Sequence, residues 1–352
     1  VSRTRRRLLR RGVALALSAT VVGVTFVYVL PRIASYGAVW RVVSTLSWGW
    51  MLALSLATVA NIITFAPPWM VALPGLGFLR ALSMTQVSTA FSLLMPGGAP
   101  IGMAASFAAL RSWGFAGRPV GLAVTLTGIW NQLSVFVFPV IAVGLLTLEG
   151  GGTRNLALVA VTGVTIFVLV TAAIAALLAR PRLAYLTGER AAAVVAAAGR
   201  LFRRPPPSWG GEALLHFREE TLELLRRRWI SLTVATLANQ LTGYLMLEVA
   251  VRAVGIRQTQ VSVAECFAAW SIGRLLVSLP LTPGGIGFVE LGLTGTLIGF
   301  GGGAAKVVAG VLLYRVASIV PTLLLGLLAA ATWRLYRRTP TIRPPGEVAV
   351  SD

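Results

Sequence analysis

Arg315 and Glu290 are the residues whose chemistry most needs explaining. Arg315 sits midway along the apolar run Val307–Trp333, where an unpaired guanidinium costs roughly 2.5–3.5 kcal/mol on insertion scales. It should therefore point inward and meet a carboxylate, a carbonyl or a phosphate. Glu290 is the nearest acidic candidate in sequence. Two outcomes are open: a permanent Arg315–Glu290 pair, or one that opens so that Arg315 holds a phosphate while Glu290 gates or exchanges a proton. Glu290 ends the stretch Pro283-Gly284-Gly285-Ile286-Gly287-Phe288-Val289-Glu290, preceded by Arg274, Ser278 and Thr282. If Gly285 or Gly287 opens a half-helix, its free N–H groups and positive dipole end form a ready site for an anionic head group.

An equivalent triplet, Pro96-Gly97-Gly98, stands in the first half of the chain, followed by Arg111 and by Asn131 within Trp130-Asn131-Gln132. Proline removes a backbone donor and glycine weakens a helix, so each triplet should break a membrane helix. Broken backbone at bilayer depth survives only where protein or a water-filled cavity satisfies it. Paired interruptions in two halves point to a transporter's substrate site. The candidate binding set is therefore Pro96, Gly97, Gly98, Arg111, Asn131, Arg274, Thr282, Gly284, Gly285, Gly287, Glu290 and Arg315.

Other chemistries have little to work with. The chain holds one Cys (Cys266), one His (His216) and a single Asp, at position 352. That set excludes an internal disulfide and argues against a His-based metal centre or a Ser-His-Asp triad. No enzymatic activity, cofactor or metal is expected.

The elements that would position these residues are membrane helices. Hydrophobic residues make up 56 % of the chain and charged residues 12 %, against roughly 45–50 % and about 25 % in soluble domains. Six full spans are expected: Val13–Leu30, Trp48–Val71, Leu122–Leu146, Leu156–Leu178, Ile230–Val251 and Val307–Trp333. Val13–Leu30 is expected to be a retained span and not a signal peptide, since Pro31-Arg32 follows it with no small-residue cleavage site. Two broken or re-entrant elements, Phe78–Leu110 and Val261–Phe300, surround the triplets. The fold class is an all-α polytopic membrane protein with an inverted-repeat-like plan.

The net charge of +20 does not imply nucleic acid, because the arginines cluster beside apolar spans. With the N-terminus inside, 23 arginines fall on the inner side and 5 on the outer, a bias that sets orientation. Both termini are then expected on the cytoplasmic side. The chain divides into a first membrane half (1–181), a cytoplasmic connector (182–229), a second membrane half (230–338) and a disordered tail (339–352). Within the connector, Pro205–Pro207 should interrupt the chain and Glu212–Arg228 should form an amphipathic surface helix.

The stretches LLVSLPLTPGGIGFVELGLTGTL (275–297), LLYRVASIVPTLLLG (312–326), LLMPGG with FAALRSWG (93–114) and GIWNQL (128–133) occur in an order that resembles the lysylphosphatidylglycerol synthase transmembrane-region family of flippase-like proteins. The resemblance implies an inner-membrane, inverted-repeat core that in its best-known members moves an aminoacylated phospholipid between leaflets. Those members also carry a C-terminal synthase domain; this chain ends soon after Trp333, so synthase activity is not carried over. The first motif often bears an acid after its glycines, where this chain has Ala99-Pro100-Ile101-Gly102-Met103. The second half should then carry most of the site.

The leading expectation is a flippase or transporter for an anionic or zwitterionic lipid, either a phospholipid or a polyprenyl-phosphate-linked sugar. The runner-up is a non-transporting scaffold subunit of an envelope-synthesis complex. A polyprenyl-phosphate glycosyltransferase ranks last, since the loop from Pro31 to Ser47 lacks an acid. Membrane lipids are the expected partners.

Overall fold

The computed structural model of the protein describes residues 36–95, 98–150, 154–201, 209–278 and 282–336. Val13–Leu30, Pro96, Gly97, Pro205–Pro207 and the tail past Thr339 lie outside the described residues. The chain is all-α over the residues described. In order it forms α1 (Tyr36–Ser44), α2 (Trp48–Thr64), α3 (Ala66–Ala72), α4 (Phe78–Leu94), α5 (Ala99–Ser112), α6 (Gly117–Leu148) and α7 (Arg154–Ala179). It continues through α8 (Pro181–Leu201), α9 (Gly211–Ala253), α10 (Val263–Ser278), one 3-10 turn (Pro283–Gly285), α11 (Phe288–Gly299) and α12 (Ala304–Tyr336).

The outer surface belongs to a membrane protein. Leu52, Leu56, Val59 and Ile63 form an exposed stripe on α2, while Leu54, Ala57 and Thr58 on its opposite side are buried. Val316, Val320, Leu324 and Leu327 make a similar exposed stripe on α12. In a water-soluble bundle such stripes would be the buried ones. Four stretches among the described residues are long and apolar enough to cross a membrane: Trp48–Ala72, Gly117–Leu148, Gly211–Ala253 and Ala304–Ala331. A fifth arises only if Phe167–Ala179 and Pro181–Ala197, bent by 106°, count as one span. The expected span Leu156–Leu178 falls in α7, which turns at Arg180 because Pro181 starts a new helix and cannot continue the old one.

Both broken elements form as pairs of short limbs. With 17 and 14 residues in α4 and α5, and 16 and 12 in α10 and α11, each limb reaches about 18–26 Å. None covers the roughly 30 Å hydrocarbon core alone.

The helix α9 is the hub and packs on α2, α3, α6, α8, α10 and α12. It runs antiparallel to the α2–α3 stretch, since Asn61 in α2 meets Thr242 while Val71 in α3 meets Arg228. A repeated Asn-x-x-Thr holds this crossing. Asn61 donates to Thr242 Oγ1 at 3.0 Å and to the Asn239 carbonyl at 3.1 Å. Asn239 in turn donates to Thr64 Oγ1 at 3.3 Å, and the two threonine hydroxyls lie 2.9 Å apart. Around this clasp the same order occurs twice: a span, a broken pair, then a long helix with an internal proline, Pro139 in α6 and Pro321 in α12. The long helix of each set packs on the first limb of the other, α6 on α10 and α12 on α4.

Two apolar cores form, each drawing on both halves of the chain. Met84, Leu110, Leu126 and Leu232 belong to the first, and Phe138, Phe267, Trp270 and Leu293 to the second. The connector is less separate than its composition implies. Glu212–Arg228 is helical but does not end before the next span; α9 runs unbroken from Gly211 to Ala253. No Gly or Pro occurs between Glu212 and Thr242 to stop it. Along it lies α8, held where the Gly211 N–H donates to Glu189 Oε1 at 2.8 Å.

Candidate functional site

Between the two cores lies a cavity of about 370 Å³. Gly98 from the first break and Thr282, Gly284 and Gly285 from the second all line it, so the described part of each break faces the same space. At the second break the backbone turns through Gly284 (φ 60°) and Gly285 (φ 67°), a left-handed conformation that side chains other than glycine's resist. Gly285 N–H donates to the Thr282 carbonyl at 3.1 Å and Thr282 Oγ1 to the Ile286 carbonyl at 2.9 Å.

Arg315 and Glu290 do meet. Arg315 Nε donates to Glu290 Oε1 at 2.7 Å, and Nη2 donates to the Gly284 carbonyl at 3.0 Å. The second carboxylate oxygen of Glu290 accepts the Gly287 N–H at 2.6 Å. Glu290 sits in the first turn of α11, so its charge also suits the helix dipole. The pair staples α11 to α12 and satisfies one donor and one acceptor freed by the break. Glu290 is 1 % exposed and does not line the cavity, whereas Arg315 does. Gly287 is likewise buried beside the cavity wall.

Arg274 is different. It projects from α10 into the cavity, and its only described hydrogen bond is a long one, Nη2 to Asn131 Oδ1 at 3.4 Å. Its Nε is buried without a partner, and it makes no ion pair among the described residues. Asn131 is turned toward it by α6 and also accepts Gln240 Nε2 at 2.6 Å. Asn61 and Asn239, beside the clasp, line the same wall, as does Trp270, whose indole Nε1 is buried and unpartnered.

The structure does not bring Arg111 to the cavity. It lies at the end of α5, where its Nη1 donates to the Phe115 carbonyl at 2.7 Å and closes the helix end. Thirteen residues of helix separate it from the break, roughly 20 Å along the axis. Pro96 and Gly97 fall outside the described residues.

Residues that sequence reasoning missed are Asn61, Asn239, Gln240 and Trp270. The available signal was Asn-x-x-Thr occurring twice inside apolar spans, at Asn61–Thr64 and Asn239–Thr242. The missing acid of the first motif also has a physical counterpart. Aligning the two triplets sets Met103 against Glu290 and Gly128 against Arg315. Met103 packs over Gly128, its Cε 3.2 Å from where a Cβ would stand. An apolar contact thus replaces the ion pair in the first half.

No group of His, Cys, Asp and Glu able to hold a metal occurs among the described residues. The family model described as the lysylphosphatidylglycerol synthase TM region matches residues 13–326. No curated protein matches the chain.

Proposed function

We propose that this chain, which belongs to the lysylphosphatidylglycerol synthase TM-region family, moves a phosphate-bearing lipid between leaflets, its head group passing through the cavity between the breaks. The observation that carries the reading is Arg274: a guanidinium on a broken limb packed among membrane-spanning helices, facing a cavity edged with polar side chains and lacking an acidic partner among the described residues. A charge so placed is costly unless something anionic visits it. The amides, hydroxyls and guanidiniums on the cavity wall, inside a lipid-facing exterior, give a head group polar contacts that the hydrocarbon does not. Tails would remain in lipid beside the exposed stripes of α2 and α12.

In this reading the two sets of span, broken pair and long helix are an inverted repeat, and the reciprocal packing of α6 on α10 and α12 on α4 supports it. No bond is made or broken. The test is movement of fluorescent phospholipids across liposomes containing the purified chain. Arg274→Gln is expected to slow movement about tenfold or more, in keeping with loss of a charged hydrogen bond, while expression and melting stay near wild type. Unchanged movement in Arg274→Gln would remove the reading's support. Wild-type protein that moves no lipid would favour a scaffold subunit.

The arginine bias supports an orientation with both termini and the connector on the cytoplasmic side. In a Cys266→Ala background, Ser208→Cys should resist an impermeant thiol reagent in intact cells and react after permeabilisation. Labelling in intact cells would reverse the assignment.

A further inference from the structure

We infer that the cavity selects a lipid whose head group joins one phosphodiester to an uncharged, hydroxyl-bearing group such as glycerol or a sugar, and that it rejects head groups bearing an ammonium. The inference rests on the transport reading above and narrows its substrate.

The charges around the cavity are unbalanced. Arg274 and Arg315 line it, and no carboxylate does. The chain has 11 acidic residues, and among the described ones only Glu290 is near, both of its oxygens taken, by Arg315 and by the Gly287 N–H. Glu248 pairs with Arg252 at 2.8 Å, Glu149 accepts from Ser262 and Glu265 caps its own helix. Glu189, Glu212, Glu219, Glu220 and Glu223 lie on α8 and the aqueous end of α9. Glu347 and Asp352 belong to the tail. An ammonium brought into the cavity would therefore meet the uncompensated guanidinium of Arg274 and find the one nearby carboxylate already held by Arg315, a like-charge placement that suppresses wrong ligands.

An aromatic face could hold an ammonium without a carboxylate, but Trp270 offers none. Its ring is 1 % exposed and packs against Phe138, Phe267 and Tyr244 at centroid distances of 5.0, 5.6 and 5.8 Å. What it offers is its edge, the unpartnered Nε1–H.

The rest of the wall suits hydroxyls. Asn61, Asn131, Asn239 and Gln240 supply amides, and Ser92, Thr89, Ser318 and Thr322 supply hydroxyls. Asn61, Asn239 and Gln240 use their NH2 groups within the protein, and no described hydrogen bond reaches their side-chain amide oxygens. Those oxygens accept from ligand hydroxyls, while Arg274 and the Trp270 N–H donate to the phosphate. A volume of about 370 Å³ is at the small end of ligand sites, roughly 300–1,000 Å³, which fits a head group with its tails left outside.

The experiment compares short-chain phosphatidylglycerol, lysylphosphatidylglycerol and phosphatidylcholine as ligands of the full chain in detergent, read as melting shifts and by competition. Phosphatidylglycerol is expected to bind roughly tenfold or more tightly than the other two. Trp270→Phe removes the N–H together with the pyrrole part of the ring, so its own unliganded melting temperature is the reference, and against that reference the shift produced by phosphatidylglycerol should shrink. Asn239→Asp adds a carboxylate of the same shape to the wall, and should narrow the discrimination against lysylphosphatidylglycerol. Equal or tighter binding of either ammonium lipid overturns the inference. So does a soluble glycerol phosphate that binds as well as the lipid, since that marks an ion site and not a lipid site. Selective binding without movement in liposomes keeps the inference and sinks the transport reading; movement that ignores head groups does the reverse.

Discussion

Glu290→Gln should lower the unfolding free energy of the purified protein by about 3 kcal/mol or more, the range found when one partner of a buried ion pair is removed. Arg315 is 8 % exposed and would keep its charge with no carboxylate against it, and an amide oxygen turned to Arg315 would set the amide NH2 against the Gly287 N–H. Replacing both partners with apolar residues is often neutral elsewhere, but not here. Arg315→Met with Glu290→Leu would strand the Gly284 carbonyl and the Gly287 N–H, each costing about 1–3 kcal/mol when buried and unsatisfied. The double variant should thus be no more stable than the single. Thermal unfolding in detergent decides it: a Glu290→Gln protein that melts with wild type, or a double variant that recovers fully, would show that the pair is not what holds the second break closed. Transport separates a further role. If Glu290 only holds Arg315 in place, lipid movement in Glu290→Gln should survive at temperatures well below its melting point.

Gly285→Ala should be strongly damaging. Its backbone has φ 67°, where an L residue pays about 1–2 kcal/mol. The new Cβ would also stand 2.8 Å from Val289 Cγ2 and 3.5 Å from the backbone of Val277. Valine is stiff at χ1 and cannot swing aside cheaply. A combined loss of about 2–4 kcal/mol is expected, together with loss of lipid movement. Gly295→Ala is the control: nothing stands within 4 Å of its Cβ and the site lies inside α11, so it should be neutral or stabilising by about 0.5–1 kcal/mol. If the two variants melt alike, the second triplet does not turn as described.

The two breaks and the Glu290–Arg315 pair were legible because their causes are local or obligatory. Pro-Gly-Gly disrupts a helix wherever it stands, and a mid-span arginine must find a partner. Arg111 was misplaced because sequence distance from a triplet says nothing of which way a helix end faces; Arg111 was drawn to a nearby free carbonyl instead. The clasp of Asn61 and Asn239 and the bare Arg274 depend on the rotation of helices far apart in sequence, which periodicity alone does not fix. Membership of the family agrees with what the quoted motifs implied. Its two-fold acid pattern does not extend to the first half, where Met103 covers Gly128.

The unbroken α9 has a mechanical consequence. Its 43 residues make a rod about 64 Å long, twice the roughly 30 Å of hydrocarbon, so about half of it stands in water. At that aqueous end Glu220 is tied to Arg118 at 2.6 Å and Arg218 to the end of α7. Farther along the same rod are Asn239 and Gln240 of the cavity wall. With no proline to serve as a joint, a torque applied in the aqueous phase reaches those amides directly. The chamber and the water-facing surface are two ends of one lever.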